Sequence, residues 1–263
     1  MRIVILTSNA IRHKFVANTL AQNSEDALII VECKKNDSLN VKSQGKAGSL
    51  IEEHFNLRYL TESEMFAGND VFLAKTLPLL AGEVNSDYSY NVIKNFNPDV
   101  MFVFGSSIIK EPLLSLAPPG KFINLHLGLS PYYRGSGTNF WPFVNEELDY
   151  VGSTILHIDA GIDTGAIIAH VRPTFETGDN VHTTGCKVIK SSVLCIIEIM
   201  NLLKKGQKLN KVKQWKISNE RYYRNSDFNE DILLTYKQNL ENGLIEKYLN
   251  RSKEEIKLIP LES

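Results

Sequence analysis

Four short, continuous apolar runs constrain the fold of this chain more than any other feature. Arg2-Ile-Val-Ile-Leu-Thr7, Ala27-Leu-Ile-Ile-Val-Glu32, Asp99-Val-Met-Phe-Val-Phe104 and Lys121-Phe-Ile-Asn-Leu125 lack the polar alternation of a half-wet strand. Each reads as a strand covered on both faces, the condition of a parallel sheet whose crossover helices lie above and below it. Helical patterns fall between them. One runs through Phe15, Val16 and Leu20, with Ser8 and Asn9 offered as caps; others cover about 49–66 and 84–95. Two more strands are expected over 152–158 and 166–171, and a long helix over about 180–203. Strands alternating with helices predict an α/β protein with a doubly wound, mostly parallel sheet and its ligands at the carboxyl ends of the strands.

After Leu203 the composition changes. Lys204-Lys-Gly-Gln-Lys-Leu-Asn-Lys211 is a polar connector, followed by a β-like piece near Trp215 and a helix from about Asp227, where Asp227 and Glu230 have capping-box spacing. The division expected is a catalytic domain over 1–205 and a small α+β extension over 206–263 packed on it, too short to stand alone. The stretch from Lys34 to Gly48 is rich in Gly, Ser and Lys and reads as a mobile loop. The chain's 29 Lys and Arg nearly balance 30 Asp and Glu, so no global field argues for nucleic acid or an anionic membrane. No apolar run approaches the roughly 18 residues of a bilayer span. The N-terminus lacks a signal-peptide pattern, and Cys33, Cys186 and Cys195 are odd in number and scattered. Reduced thiols in a cytoplasmic protein are the expectation.

Chemistry concentrates in a polar triplet set among apolar neighbours. Asn124 and His126 alternate with Ile123, Leu125 and Leu127, so on a strand both project from one face. A buried amide and imidazole need partners. Asp163, in Ile158-Asp-Ala-Gly-Ile-Asp-Thr-Gly165, is the candidate. An amide donating to an oxyanion, an imidazole moving a proton and a carboxylate orienting the imidazole together suit acyl transfer to an amine. Other motifs fail. Gly45-Lys46 lacks the upstream glycine of a phosphate-binding loop, and Ser130 lacks the second glycine of a nucleophile elbow. His157 reads as packing rather than chemistry. His13, His54, His170 and His182 have no ligand-like spacing, so no metal is expected.

Asn124-Leu-His126-Leu-Gly-Leu-Ser-Pro131-Tyr-Tyr-Arg-Gly135 resembles the Asn-x-His-Pro-Ser-x-x-Pro-x-x-x-Gly signature of the 10-formyltetrahydrofolate-dependent formyltransferases. Gly152-Ser-Thr-Ile-Leu-His-Ile-Asp159-Ala-Gly-Ile-Asp163-Thr-Gly165 is similar to that family's second motif, which carries its catalytic carboxylate. The likeness covers about 1–205, with one departure: Leu127-Gly128 stands where the family has Pro-Ser, and the backbone is expected to keep its course. The resemblance implies the family's Rossmann-like fold, 10-formyltetrahydrofolate as co-substrate and Asn124, His126 and Asp163 as catalytic residues. It also implies a folate pocket at Phe104, Gly105, Ile108, Asp159 and Gly161.

Within the family, length and tail most resemble the sugar N-formyltransferases. Those act on nucleotide-linked (GDP or dTDP) 4-amino-4,6-dideoxyhexoses for surface polysaccharide, such as the O-antigen of lipopolysaccharide, and often form homodimers. The resemblance then implies that Tyr132, Tyr133, Arg134 and Trp141 meet the acceptor, by stacking on base or sugar and by contacting a diphosphate. From Lys208 onward eleven Lys and Arg face nine Asp and Glu, too balanced for a tRNA-binding surface. A methionyl-tRNA formyltransferase-like enzyme acting on another amine, or a formyltetrahydrofolate hydrolase, is the alternative.

Overall fold

The computed structural model describes residues 1–34, 49–161, 163–218 and 220–262. The expected mobile loop, beyond Lys34, lies outside the described residues. Strands β1 (Arg2–Ser8), β2 (Asp26–Cys33), β3 (Lys75–Leu80), β4 (Val100–Phe104) and β5 (Phe122–Leu127) run parallel. A short strand β6 (Tyr133–Gly135) follows, then β7 (Ser153–His157) and β8 (Ile167–Val171), which extend the sheet antiparallel beyond β5. The sheet order is β3-β2-β1-β4-β5-β7-β8, and β6 pairs separately with β9 (Arg221–Tyr223). This is the doubly wound, mostly parallel sheet that the apolar runs predict.

The reason the runs are continuous is visible in the layers. Ile3, Ile5 and Ile29 point to one face, against Val16, Ala17 and Leu20 of α1 (Ile11–Gln22). Their alternates Val4, Leu6 and Ile30 point to the other, against Ile93. Ile189, Val193 and Ile196 of the long α5 (Val181–Lys204) join the first face, while Ile93 belongs to α3 (Asp87–Phe96). Each such side chain, taken fully out of water, contributes about 1.5–3 kcal/mol. Between α1 and α3 in sequence lies α2 (Leu50–Met65), with Ser49 accepting from the Glu52 amide as N-cap. The Asn180 side chain caps α5 in a full capping box with Thr183.

Several local expectations are corrected. Ser8 and Asn9 do not cap α1, whose N-cap is Ala10 without a side-chain bond. Ser8 Oγ instead pairs with His13 Nδ1 at 2.9 Å, and the Asn9 amide exchanges two bonds with the Lys34 backbone. Strand β3 has no counterpart in the sequence reading. It is an edge strand, largely exposed, and tolerates Pro78 because its outer side needs no donor.

Near Trp215 no strand forms; Val212 makes only an isolated bridge to Ile167, and β9 lies further on. The later helix α6 (Glu230–Glu241) is capped by Asn229, while Asp227 accepts from the Arg224 amide one turn earlier. The short α4 (Trp141–Val144), α6 and α7 (Leu244–Asn250) enclose a separate aromatic cluster with Tyr133, Phe140, Phe143, Tyr236 and Tyr248.

Candidate active site

Strand β5 delivers Asn124 and His126 two residues apart, so both side chains leave the same face near its carboxyl end. Antiparallel pairing with β7 sets Asn124 opposite Leu156 and His126 opposite Thr154. The chain leaving β7 then turns back toward them before β8. There Asp163 sits in the left-handed region at φ 52°, a conformation that Asp tolerates better than most residues. Its Oδ2 lies 3.1 Å from His126 Nδ1, and its Oδ1 accepts from Asn124 Nδ2 at 3.0 Å. One carboxylate therefore holds both the amide and the ring. Burial penalises the Asp163 carboxylate, but the hydrogen bond and charge of His126, the Asn124 amide and the Arg134 charge outweigh it and hold its pKa below the ordinary value. The other ring nitrogen, His126 Nε2, is buried and has no partner among the described residues.

A cleft of about 670 Å³ opens over this triplet, within the range of small-molecule sites. Phe104, Gly105, Ile108, Asp159 and Gly161 all border it, as do the apolar side chains of Ile109, Leu125, Leu156 and Ile158. Asp159 Oδ1 accepts from the Gly161 amide at 3.0 Å and Thr164 Oγ1 at 2.8 Å, so its carboxylate shapes the turn that frames the cleft. At the departure Leu127-Gly128 the backbone takes φ 141°, open to glycine and strained for other residues. A Cβ there would collide with Thr138, whose hydroxyl donates to the Leu127 carbonyl, and would come within 3.0 Å of His126 Nε2. Thr154 Oγ1 donates to the Gly128 carbonyl at 2.6 Å. The loop that follows His126 is thus tied down by two threonines.

Residues 1–199 match the family described as Formyl transferase. The chain belongs to the formyl transferase family. Over 133 residues it is 32% identical to a methionyl-tRNA formyltransferase from Thermodesulfovibrio yellowstonii, covering 49% of this chain and 42% of that protein. It is 29% identical over 133 residues to a GDP-perosamine N-formyltransferase from Brucella melitensis, covering 50% of this chain and 51% of that protein. The chain thus spans about half the length of these curated relatives. The same fold occurs in an N-formyltransferase from Helicobacter canadensis, solved with folinic acid and dTDP-3-aminofucose. The TM-score is 0.56 at 17% identity, over 89% of this chain and 79% of that one.

The remaining residues that the resemblance to the formyl transferase family implied do not converge on the cleft. Tyr133 is fully buried in the aromatic cluster, where its hydroxyl donates to Glu147 and accepts from Asn145 Nδ2. Tyr132 packs on Tyr150 and Trp215 and donates to the Lys257 carbonyl at 3.0 Å. Tyr133 opens β6, whose pairing with β9 sets its ring inside the aromatic cluster. Arg134 pairs with Glu220 at 2.6 Å. Trp141 is 3% exposed, its ring stacked 3.9 Å from that of Tyr223, so one of its faces is already covered. His157 Nε2 donates to the Asn210 carbonyl at 3.0 Å, as a packing residue does.

The sequence reading missed a second cleft, of about 900 Å³, that shares Arg12, His13, Lys34, His54, Arg58 and Glu62 with the first. Among the described residues Arg12, Lys14, Lys34, Arg58 and Arg224 line it against Glu62 and Asp70, in a chain whose net charge is −1. Glu62 is buried and accepts from Arg12 Nη1 at 2.9 Å and from Arg58 Nε at 3.0 Å. The i,i+4 spacing of Arg58 and Glu62 was visible in the sequence; the Arg12 contact, 50 residues away, was not. Aromatic side chains, among them Tyr59, Phe140, Trp141 and Phe228, complete the walls. His54 and His182 lie with ring centroids 4.5 Å apart at the seam of the two clefts. Burial, then the Arg58 and Lys237 charges, lowers His54 to about 4; burial, then His54 and Arg58, lowers His182 to about 3.

Proposed function

We propose that this protein transfers a formyl group from 10-formyltetrahydrofolate to the amine of a nucleotide-activated 4-amino-4,6-dideoxy sugar, GDP- or dTDP-linked, for surface polysaccharide such as O-antigen. The observation that carries the transfer is His126 Nε2: a buried imidazole nitrogen without a partner among the described residues, whose opposite nitrogen is held by a carboxylate. Such a nitrogen is a proton acceptor waiting for a donor. The cleft suits the folate: apolar walls from Phe104 to Ile109 and from Leu125 to Ile158 can enclose a flat heterocycle beside the triplet. The folate supplies the formyl group as an activated amide on an aryl amine nitrogen.

The chain's residues do the rest. His126 takes a proton from the incoming ammonium at Nε2 and returns it to the leaving nitrogen. Asp163 holds the ring in the tautomer with Nδ1 protonated and supports its cationic form. Asn124 spends one amide hydrogen on Asp163, which leaves the other to donate to the oxygen on which charge develops. The cationic second cleft supports the acceptor class: five basic side chains against two acids suit a diphosphate, and the aromatic walls suit a base or sugar. In this reading Arg12, Lys34 and Arg58 take the diphosphate role that the motif resemblance gave to Arg134.

The test is incubation with 10-formyltetrahydrofolate and a panel of GDP-, dTDP- and UDP-linked 4-aminosugars. Tetrahydrofolate release that depends on one sugar nucleotide is the expected result. The likeness to the Thermodesulfovibrio relative makes methionyl-tRNA the acceptor to run beside it. Release only with charged tRNA would overturn the sugar reading, and release without any acceptor would indicate a hydrolase.

A further inference from the structure

Gln214 lies beyond the residues that match the family, yet it reaches back to the loop that carries Asp163. Its side-chain amide donates to the Asp163 carbonyl at 2.7 Å and to the Gly165 carbonyl at 3.0 Å. The segment that carries it is itself anchored along β8. Ile167 and Val212 exchange two backbone bonds, at 2.7 and 3.0 Å. Asn210 Nδ2 donates to the Ile168 carbonyl at 3.2 Å, and the Asn210 carbonyl meets His157 Nε2 at 3.0 Å. At Gly165 any Cβ would run into the His157 carbonyl, so the loop passes close against the end of β7.

Within the Asp163 loop, Asp159 Oδ1 ties the Gly161 amide to the Thr164 hydroxyl, and Gln214 adds a hold from outside it. Asp163 is held at φ 52° in a region where non-glycine residues rest only when their surroundings hold them there. Both hydrogens of one primary amide engage carbonyls that flank this position, which is a fork suited to fixing two successive turns of backbone. We infer that Gln214 is a positioning residue for the proposed formyl transfer. By clamping the backbone at Asp163 and Gly165 it aims the carboxylate at Asn124 and His126. The strap from Asn210 to Gln214 then completes a site that the family-matched residues alone leave loose.

This role rests on the reading of Asn124, His126 and Asp163 as catalytic, and its test separates the two. Gln214→Glu keeps the shape but faces the carbonyls with an acceptor; Gln214→Leu removes donation; Gln214→Lys restores a donor of similar reach. With formyl donor and the responsive aminosugar nucleotide, Gln214→Glu and Gln214→Leu are expected to lose about 10- to 100-fold in kcat, the scale of a misplacement near 1 Å. KM for the formyl donor stays within about twofold, because Gln214 does not border the folate cleft, and Gln214→Lys recovers most of kcat.

The second readout needs no turnover. The His126 Nδ1 proton, held by Asp163 Oδ2 at 3.1 Å, gives a downfield NMR signal that moves upfield or broadens in Gln214→Leu, where the carboxylate is loosened. An active parent whose kcat and His126 Nδ1 proton signal are both unchanged by Gln214→Glu and Gln214→Leu overturns the inference. An inactive parent whose His126 Nδ1 proton signal still shifts or broadens in Gln214→Leu overturns the functional reading and leaves the clamp standing.

Discussion

The two clefts differ in how they are assembled. The one over Asn124 and His126 stands on adjacent strands, and its polar atoms are locked by a carboxylate from the next loop. The one lined by Arg12 and Arg58 stands on two helices, α1 and α2, whose charged side chains share the buried Glu62. A strand pair sets side-chain positions through backbone hydrogen bonds, so its site is rigid and its errors are costly. Long side chains on helices hold position only through their partners, so a loss there weakens binding before it stops chemistry. The comparison therefore predicts kcat effects from the first cleft and KM effects from the second.

The sharpest break is Asn124→Ala, expected to cut kcat about 10²- to 10³-fold with little change in folate affinity, since one oxyanion donor is worth roughly 3–4 kcal/mol of barrier. Asp163→Asn should fall in the same range. Single-turnover formyl transfer measures both, and a loss confined to KM would put these residues in the wrong role. Arg58→Met should raise the acceptor KM about 10-fold or more while kcat stays within about threefold, because a charged hydrogen bond contributes about 1.5–3 kcal/mol. High salt should narrow the gap between Arg58→Met and the parent. Equal losses in kcat and kcat/KM would erase the distinction between the clefts.

A third prediction concerns stability at the seam. His54 and His182 bind protons in the unfolded chain at about pH 6.5 but in the folded one only near 4 and 3. Protons thus favour the unfolded state: their contribution is intact above pH 6.5 and is lost progressively as pH falls toward 3. Each can cost up to about 1.4 kcal/mol per pH unit in that window. Urea unfolding at pH 7.5, 6 and 5 should show the decline, and His182→Gln should flatten it. The smallest effect is Tyr133→Phe. It loses a buried hydroxyl bonded to Glu147 and Asn145, about 1 kcal/mol of stability, and leaves acceptor KM within about twofold. A large KM change would return Tyr133 to the binding site.

Legibility followed the range of the interactions. The parallel strands were readable because each one's burial on both faces leaves an unbroken apolar run, and β7, β8 and α5 fell within a residue or two of expectation. Edge strand β3 was not readable, since an exposed strand with Pro78 carries no such run. Caps were misplaced where a side chain found a tertiary partner instead: Ser8 chose His13, and Asn9 chose the Lys34 backbone. Tyr132 and Tyr133 looked suited to a ligand because aromatic composition does not say which way a side chain turns. In this fold both pack against Tyr150, whereas Trp141 stacks one face on Tyr223 and borders the second cleft.

The mostly parallel, doubly wound sheet, the face shared by Asn124 and His126, and the family to which the chain belongs all followed from local pattern, because period and spacing are written in consecutive residues. Which carboxylate oxygen meets which nitrogen, the pooling of Arg12 and Arg58 around Glu62, and the grip of Gln214 on the Asp163 loop join residues about 40 to 51 positions apart. Only the closed chain decides such contacts, since bringing those residues together depends on the packing of everything between them.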